Sequence, residues 1–319
     1  MYATIYHILE RVMLKLMRIL HGAKPYWIGR IISREKFIAT DKLVIFIDHP
    51  KFIHLGDTLW FEPLARMLSN KYQITICCSK SMEFYFKALG YNLINKSQVK
   101  RKDHIITRIE LFYMLYKRKA FFINFDFGNL SKPLLEQMGE TVSNYFAINA
   151  SMDYRPQPLV FNQLQMQDFC NEYELDSNQQ YMIFNDYLGQ GSLTDKLKFT
   201  QAQDSLREFV KNYKATNSQV KVIYTGTLSD LQVMNDLPDF IDIDLRGKTS
   251  LEESFLLVAL SNVTNYIGFD TLWMHLFNIY NKVSFIKLRP TMVSLKHDEL
   301  VKQFVLLPFP SNKPLINSI

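Results

Sequence analysis

Short apolar runs alternate with stretches of helical periodicity along most of the chain, and this alternation limits the folds open to it. In the N-terminal half, apolar runs at 43–47, 73–77 and 120–125 are separated by predicted helices at 57–69 and 82–89. Continuous apolar runs between helices are typical of strands buried on both faces of a parallel sheet. The composition, 48% apolar and 21% charged, supplies enough apolar material for sizeable cores.

The same alternation starts again after residues 150–165, where prolines among polar residues predict a linker. Further strands are predicted at 181–184, 220–224, 240–243, 265–268 and 283–286, the last of which closes the sheet. Helices are predicted at 202–213, at 251–259 and from Thr271. Two successive βαβ sets predict an α/β fold with two Rossmann-like domains that face each other across a cleft. The predicted divisions are a basic helical segment at 1–37, an N-terminal domain at 38–155 and a C-terminal domain at 156–319.

Charge is concentrated in two segments. The chain has 37 basic and 31 acidic residues, a net charge of +6. Segment 1–37 carries +5 and segment 96–119 carries +6, so the remaining residues sum to −5. Such localised patches predict an anionic partner such as a membrane surface rather than nucleic acid.

The first 21 residues place apolar side chains at helical spacing opposite a basic stripe, which predicts an amphipathic helix. Charged residues interrupt any run long enough to span a membrane. Two interpretations remain open, a helix packed on the protein's own core and a helix lying in a membrane interface. Three cysteines without metal-ligand spacing favour a reducing, cytoplasmic compartment.

The turns after predicted strands are where ligands bind in such sheets. The first contains Gly56, placed for a sharp turn, and Asp57 at the start of a helix. Asp57 is either a cleft-facing carboxylate or an N-cap. The segment at 268–275 joins a strand to a helix whose free N–H groups suit a phosphate, unless Asp270 caps that helix and His275 is an ordinary half-buried residue.

Two weaker signals lie between these turns. The loop with Gly189, Gly191 and Ser192 is a candidate phosphate loop, although a lone Gly-x-Gly-Ser has neither common nucleotide-binding spacing. Asp242 and Asp244 form an Asp-x-Asp sequence, but they end a predicted strand and lead into a capping signature at Ser250 and Glu253. We therefore predict no metal site there.

In combination and order, these motifs resemble the bacterial heptosyltransferases, glycosyltransferase family nine with the GT-B fold, over approximately residues 42–290. The matching positions are His54 with Gly56 and Asp57, the proline-led helix from Pro63, Lys196, Thr225 and Gly226 with Asp230, the run at 244–251, and Asp270 and Thr271 with His275. Leu272 stands where the family has glycine, and the tryptophan-proline pair that follows the family's lysine is missing after Lys196.

The resemblance implies an inverting, metal-independent glycosyltransferase that uses a nucleotide sugar, in the family ADP-heptose, and no further cofactor. Asp57 is then the general base, with Lys51, His54 and Gly56 on the acceptor side. On the donor side, Lys196, Thr225, Gly226 and Asp230 contact the nucleotide sugar, Asp270 contacts the sugar ring, and Thr271, Leu272 and His275 lie beside the diphosphate.

The expected acceptor is a lipid-linked glycan of lipopolysaccharide, capsule or O-antigen synthesis. The expected location is peripheral, on the inner face of the cytoplasmic membrane, held through segments 1–37 and 96–119. The alternative is a catalytically idle GT-B module that binds nucleotide or glycan in an assembly complex, and Leu272 motivates it. An epimerase-like or phosphorylase-like enzyme on the same scaffold has no separate motif set in this sequence.

Overall fold

The chain divides into two compact units between Pro156 and Gln157. The structure is a computed structural model that describes residues 30–32, 42–46, 55–93, 121–124, 155–187, 196–233, 236–288 and 304–307. We call the two parts the N unit, Met1–Pro156, and the C unit, Gln157–Ile319. Each unit contains its own β-sheet, and each is described separately.

The N unit is built on a five-stranded sheet. Its strands are β1 (Arg30–Ile32), β2 (Lys42–Phe46), β3 (Gln73–Cys77), β4 (Asn92–Leu93) and β5 (Phe121–Asn124). Their order is β1-β5-β2-β3-β4, with β1 antiparallel to β5 and the other neighbours parallel. The predicted strands at 43–47, 73–77 and 120–125 are confirmed to within a residue, whereas β1 and β4 were not predicted.

The described helices of the N unit are α1 (Leu55–Leu59), α2 (Phe61–Ser69) and α3 (Glu83–Ala88), and a 3₁₀ turn (Lys80–Met82) precedes α3. The single helix predicted at 57–69 is therefore wrong, because the chain is interrupted at Trp60. Pro63 lies in the first turn of α2, and proline has no N–H to donate to the carbonyl four residues earlier. A new helix can begin there, but the old one cannot run through it.

The C unit contains a six-stranded sheet in which every neighbouring pair is parallel. Its strands are β6 (Gln180–Asn185), β7 (Val220–Tyr224), β8 (Ile243–Asp244), β9 (Val263–Phe269), β10 (Val283–Lys287) and β11 (Phe304–Leu306). Its helices are α4 (Gln163–Glu172), α5 (Lys196–Thr216), α6 (Leu228–Val233), α7 (Leu251–Ala259) and α8 (Leu272–Ile279). The predicted α/β class with parallel sheets is confirmed.

Three sequence predictions differ from the C unit. The strand predicted at 240–243 is wrong, since Phe240 is a buried turn residue and Ile241 N–H bonds to Pro238 O, so β8 begins only at Ile243. The strand at 283–286 does not close the sheet, because β11 pairs beyond it. The predicted linker at 150–165 ends too late, since an Asn162–Gln165 capping box already starts α4.

The strand order β11-β10-β9-β6-β7-β8 contains a reversal of direction. From β6 the chain proceeds outward through β7 and β8, then returns to the other side of β6 and proceeds through β9, β10 and β11. At such a switch point the connections leave the two central strands in opposite directions, and a crevice opens beyond their carboxyl ends. In this sheet the switch point lies after Asn185 on β6 and Phe269 on β9, which is where a crevice is expected.

The two central strands approach closely at Gly268, which pairs with Asn185. A Cβ atom at position 268 would overlap Asn185 O and the Tyr266 hydroxyl, so only glycine fits. The core beside these strands is formed by buried apolar side chains of β6, β7, β9 and α5, including Phe184, Val222 and Leu206.

None of the helices that the structure describes is both long and apolar enough to cross a membrane.

Candidate functional site

The carboxyl edge of the C-unit sheet collects most of the residues predicted to bind the donor. Thr225 and Gly226 follow β7, while Asp270 and Thr271 follow β9, on the two sides of β6. Because neighbouring parallel strands end at the same edge, these turns lie at the edge where ligands bind in such sheets. Asp230, on α6, and Leu272 and His275, on α8, belong to the helices that leave this edge.

The start of α8 is set by a hydrogen-bonded turn. Thr271 is the N-cap residue, but its side chain makes no hydrogen bond to the helix. Its hydroxyl instead lies 3.0 Å from the hydroxyl of Tyr266, which donates to Phe269 O at 2.7 Å. Burial raises the pKa of Tyr266, so this phenol stays protonated. The prediction that Asp270 caps this helix is wrong, because the N-cap is one residue later.

This geometry leaves the first backbone N–H groups of α8 without a cap from the Thr271 side chain. Such groups, together with the positive end of the helix dipole, attract phosphate oxygens. Leu272, the first residue of α8, is partly exposed, whereas His275 is buried one turn further along.

The turn after β7 is fixed by local hydrogen bonds. The Thr225 hydroxyl is buried and lies 3.3 Å from Phe184 O, and Asn185 Nδ2 donates to Thr225 O at 2.8 Å. Thr227 N–H donates to Asp230 Oδ2 at 2.6 Å, and Asp230 N–H donates to the Thr227 hydroxyl at 3.2 Å. Thr225 therefore holds the end of the strand, while Asp230 closes a capping box at the start of α6.

Gly226 makes room for this arrangement. A Cβ atom at position 226 would lie 3.0 Å from Asp230 Oδ2, closer than normal packing allows. The Asp230 carboxylate can thus rest against the backbone of the turn. Its second oxygen, Oδ1, accepts no hydrogen bond from any residue that the structure describes.

A buried charge network, which the sequence did not reveal, ties the strand ends together. The side chain of Asp186, directly after β6, is fully buried. Tyr224 donates its hydroxyl to Asp186 Oδ1 at 2.5 Å, and Arg207 Nε of α5 donates to Oδ2 at 2.7 Å. Arg207 also pairs with Asp236. Burial and the Asp186 charge raise the pKa of Tyr224, which keeps it protonated as a donor.

Arg246 extends this network to β8. Its guanidinium lies 4.1 Å from the centre of the Tyr224 ring and donates through Nε and Nη2 to the Asp244 carboxylate at 2.9 and 2.8 Å. Burial alone would raise the pKa of Asp244, but the Arg246 hydrogen bonds outweigh it, and the pKa is lowered. The second aspartate of the Asp-x-Asp sequence, Asp242, accepts from Lys214 Nζ at 2.7 Å.

Both aspartates of that sequence are thus paired with basic side chains. The capping box predicted downstream is confirmed, because Ser250 N–H donates to Glu253 Oε2 at 2.6 Å and Glu253 N–H donates to the Ser250 hydroxyl. Within the ranges that the structure describes, no group of three or more His, Cys, Asp and Glu side chains is placed to hold a metal ion.

Several predicted residues are placed only in part. Lys51, His54, Gly189, Gly191 and Ser192, and the basic segments 1–29 and 96–119, lie outside the described residues. Lys196 is the first residue of α5, and Asp57 is the third residue of α1, so the N-cap interpretation of Asp57 is wrong. The sharp turn predicted at Gly56 is also wrong, because Gly56 is a buried residue within α1.

Comparisons with solved structures identify the fold. A family nine glycosyltransferase from Veillonella parvula matches over 84% of this chain and 87% of its own, with 13% identity and a TM-score of 0.61. E. coli ADP-heptose lps heptosyltransferase II matches with 14% identity, 83% and 90% coverage and a TM-score of 0.51. E. coli heptosyltransferase WaaC, solved with ADP-2-deoxy-2-fluoro heptose, matches with 12% identity, 83% and 92% coverage and a TM-score of 0.52.

The chain has the fold of these glycosyltransferases. A comparison with protein-family models found no match, and neither did a comparison with curated proteins. The likeness therefore lies in the three-dimensional arrangement of the chain, and it confirms the fold that the motif order had indicated.

The Asp186 network yields a stability prediction. Asp186→Asn removes the buried negative charge that Arg207 and Tyr224 share, and we expect it to lower the free energy of unfolding by about 3 kcal/mol. Urea denaturation at neutral pH measures this change. Asp236→Asn is the matched control, since the Asp236 side chain is 57% exposed and its loss should cost about 0.5 kcal/mol. Equal effects of the two variants would contradict the assigned importance of Asp186.

Proposed function

We propose that the protein is an inverting, metal-independent glycosyltransferase that transfers a sugar, heptose or a similar one, from a nucleoside diphosphate donor to a lipid-linked glycan. One observation carries the proposal: the switch point between β6 and β9 borders a helix start whose N-cap side chain is directed to Tyr266 rather than to the helix. The fold of solved heptosyltransferases supports the same conclusion.

In this proposal the donor occupies the carboxyl edge of the C-unit sheet. The diphosphate accepts hydrogen bonds from the first N–H groups of α8, at Leu272 and beyond, and Thr271 lies beside it. Asp270 contacts the transferred sugar, while Asp230, Thr225 and Gly226 lie on the nucleotide side. Lys196 and the loop with Gly189, Gly191 and Ser192 add positive charge and further N–H donors, and His275 lies beside the diphosphate.

The proposed reaction is a direct displacement. Asp57 accepts the proton of an acceptor hydroxyl, and the resulting oxygen attacks the anomeric carbon of the donor sugar. The bond between that carbon and the diphosphate oxygen breaks as the new glycosidic bond forms, so the configuration inverts. The departing diphosphate carries the developing negative charge, which fixed N–H groups and lysines stabilise.

The proposal requires the two units to face each other across a cleft, as the resemblance implies, with the acceptor on the N-unit side near Lys51, His54 and Gly56. In this arrangement Asp57 belongs to the N unit, whereas the nucleotide sugar binds to the C unit. This division predicts that acceptor chemistry and donor binding respond to different variants.

Leu272 supports a second candidate function. The heptosyltransferase family has a glycine here, where absence of a side chain lets backbone approach the diphosphate most closely. A leucine at the first position of α8 changes the geometry available to the donor. It favours either a donor other than ADP-heptose or a catalytically idle module that binds nucleotide or glycan. Turnover with any nucleotide sugar would eliminate the idle module.

The distribution of charge along the chain supports the proposed acceptor and the proposed membrane association. Segment 1–37, at +5, and segment 96–119, at +6, are suited to an anionic bilayer or an anionic glycolipid. The proposal places the protein peripherally on the inner face of the cytoplasmic membrane, acting in lipopolysaccharide, capsule or O-antigen synthesis.

The catalytic assignment is tested with Asp57→Ala. Loss of the general base should lower turnover by about 10²- to 10⁴-fold while the affinity for the nucleoside diphosphate stays unchanged. Transfer from ADP-heptose and other nucleotide sugars is measured for both proteins, with calorimetric titration for affinity. Asp239→Ala, which removes a carboxylate whose side chain is 79% exposed, is the control and should keep full activity. Full activity of Asp57→Ala would refute the assignment.

The membrane assignment is tested by deleting residues 1–24. The full chain should sediment with vesicles that contain anionic lipid and be released by salt, because charged side chains at a bilayer surface are screened within a Debye length. The truncated protein should remain in the supernatant. If its sedimentation equals that of the full chain, the helix packs on the protein core instead.

A further inference from the structure

Tyr187 is a buried tyrosine whose hydroxyl has no hydrogen-bond partner in the part of the chain that the structure describes. It lies two residues beyond β6, at the switch point, and the residue is only 6% exposed. Its hydroxyl oxygen is fully buried, yet it forms no hydrogen bond with any residue that the structure describes. The other two tyrosines at this edge differ, since the Tyr224 hydroxyl bonds to Asp186 and the Tyr266 hydroxyl bonds to Phe269 O.

A buried hydroxyl without a hydrogen-bond partner, such as that of Tyr187, lowers the stability of the fold. Burying a polar group without a partner destabilises the folded state, and native proteins carry few such groups. Phenylalanine would supply the same ring without this penalty. The hydroxyl therefore calls for a partner other than the residues that the structure describes, and its position at the proposed donor edge indicates a bound ligand.

The nearby carboxylate of Asp230 indicates which chemical class of ligand fits beside Tyr187. Burial and, after it, the charge of Asp230 raise the pKa of Tyr187, so the phenol is protonated at neutral pH and available as a donor. The Asp230 carboxylate is held against the turn by Thr227 N–H through Oδ2, which leaves Oδ1 free as an acceptor among the described residues. A donor and an acceptor thus lie near each other at the ends of β6 and β7.

This pairing is complementary to a sugar hydroxyl, which donates one hydrogen bond and accepts others. We propose that Tyr187 is a further ligand-contacting residue, whose hydroxyl donates to a hydroxyl oxygen of a bound sugar ring while Asp230 Oδ1 accepts from the same or the adjacent hydroxyl. The inference rests on the proposed function, because it requires a nucleotide sugar at this edge. The ring is either the ribose of the nucleotide or the transferred sugar.

Tyr187→Phe tests the proposal, because it removes the hydroxyl and keeps the ring. Binding of ADP, UDP, GDP, ADP-heptose and UDP-glucose to the full chain is measured by calorimetry. We expect the variant to bind three- to tenfold more weakly than the wild type, the loss that removal of one neutral hydrogen bond produces. Without ligand, its melting temperature should equal or exceed that of the wild type, because an unpaired buried hydroxyl has been removed.

Tyr280→Phe is the matched control. Tyr280 donates its hydroxyl to Leu159 O at 3.0 Å, so this variant loses a hydrogen bond within the fold. It should melt at a lower temperature and keep the wild-type affinity, the opposite of the result expected for Tyr187→Phe. A structural role for the Tyr187 hydroxyl would make the two variants behave alike.

The set of ligands distinguishes whether the ribose or the transferred sugar is the partner of Tyr187. If the ribose is the partner, Tyr187→Phe weakens the nucleoside diphosphates, and the effect disappears with the 2′-deoxy or the 3′-deoxy form of the nucleotide that binds. If the transferred sugar is the partner, only the nucleotide sugars are weakened. Wild-type affinity of Tyr187→Phe for all probes overturns the inference and leaves the proposed function intact. Failure of the wild-type protein to bind any probe overturns both.

Discussion

The buried carboxylate of Asp186 is the interaction on which the C unit's carboxyl edge depends. A charge without exposure to water is tolerated only when it is paired and hydrogen-bonded, and here Tyr224 and Arg207 together satisfy both oxygens. Tyr224 ends β7 and Arg207 lies on α5. Their hydrogen bonds to Asp186 therefore join the end of β6 to the end of β7 and to this helix. Arg246, stacked on the Tyr224 ring, brings the end of β8 into the same network.

A binding site for a diphosphate requires strand ends and a helix start that are held in fixed positions. The N–H groups at a helix start stabilise charge only if they already point to where the charge develops, since reorientation during the reaction would consume the benefit. The Tyr266–Thr271 hydrogen bond sets that orientation for α8, and Gly268 lets β9 approach β6 closely enough to place it. The proposed donor site therefore depends on the close packing of β9 against β6 as well as on the residues that would contact the ligand.

Much of this architecture could be predicted from the sequence because its signals are local. Apolar runs gave most strands to within a residue or two, and the Ser250–Glu253 pair correctly indicated the start of α7. The Asp186 network could not be predicted, because its partners lie 21 and 38 residues away and meet only through strand order. Gly268 likewise reads as an ordinary strand residue until its neighbour Asn185 is placed.

We propose that a nucleoside diphosphate binds at the β6–β9 switch point of the C unit. Amide hydrogen exchange of the full chain, with and without saturating ADP, UDP or GDP, measures this directly. We expect slower exchange in peptides that cover residues 185–187, 225–230 and 269–275, and unchanged exchange in the N-unit strand β3. Protection that is confined to other segments, or no protection with any of the three nucleotides, would contradict it.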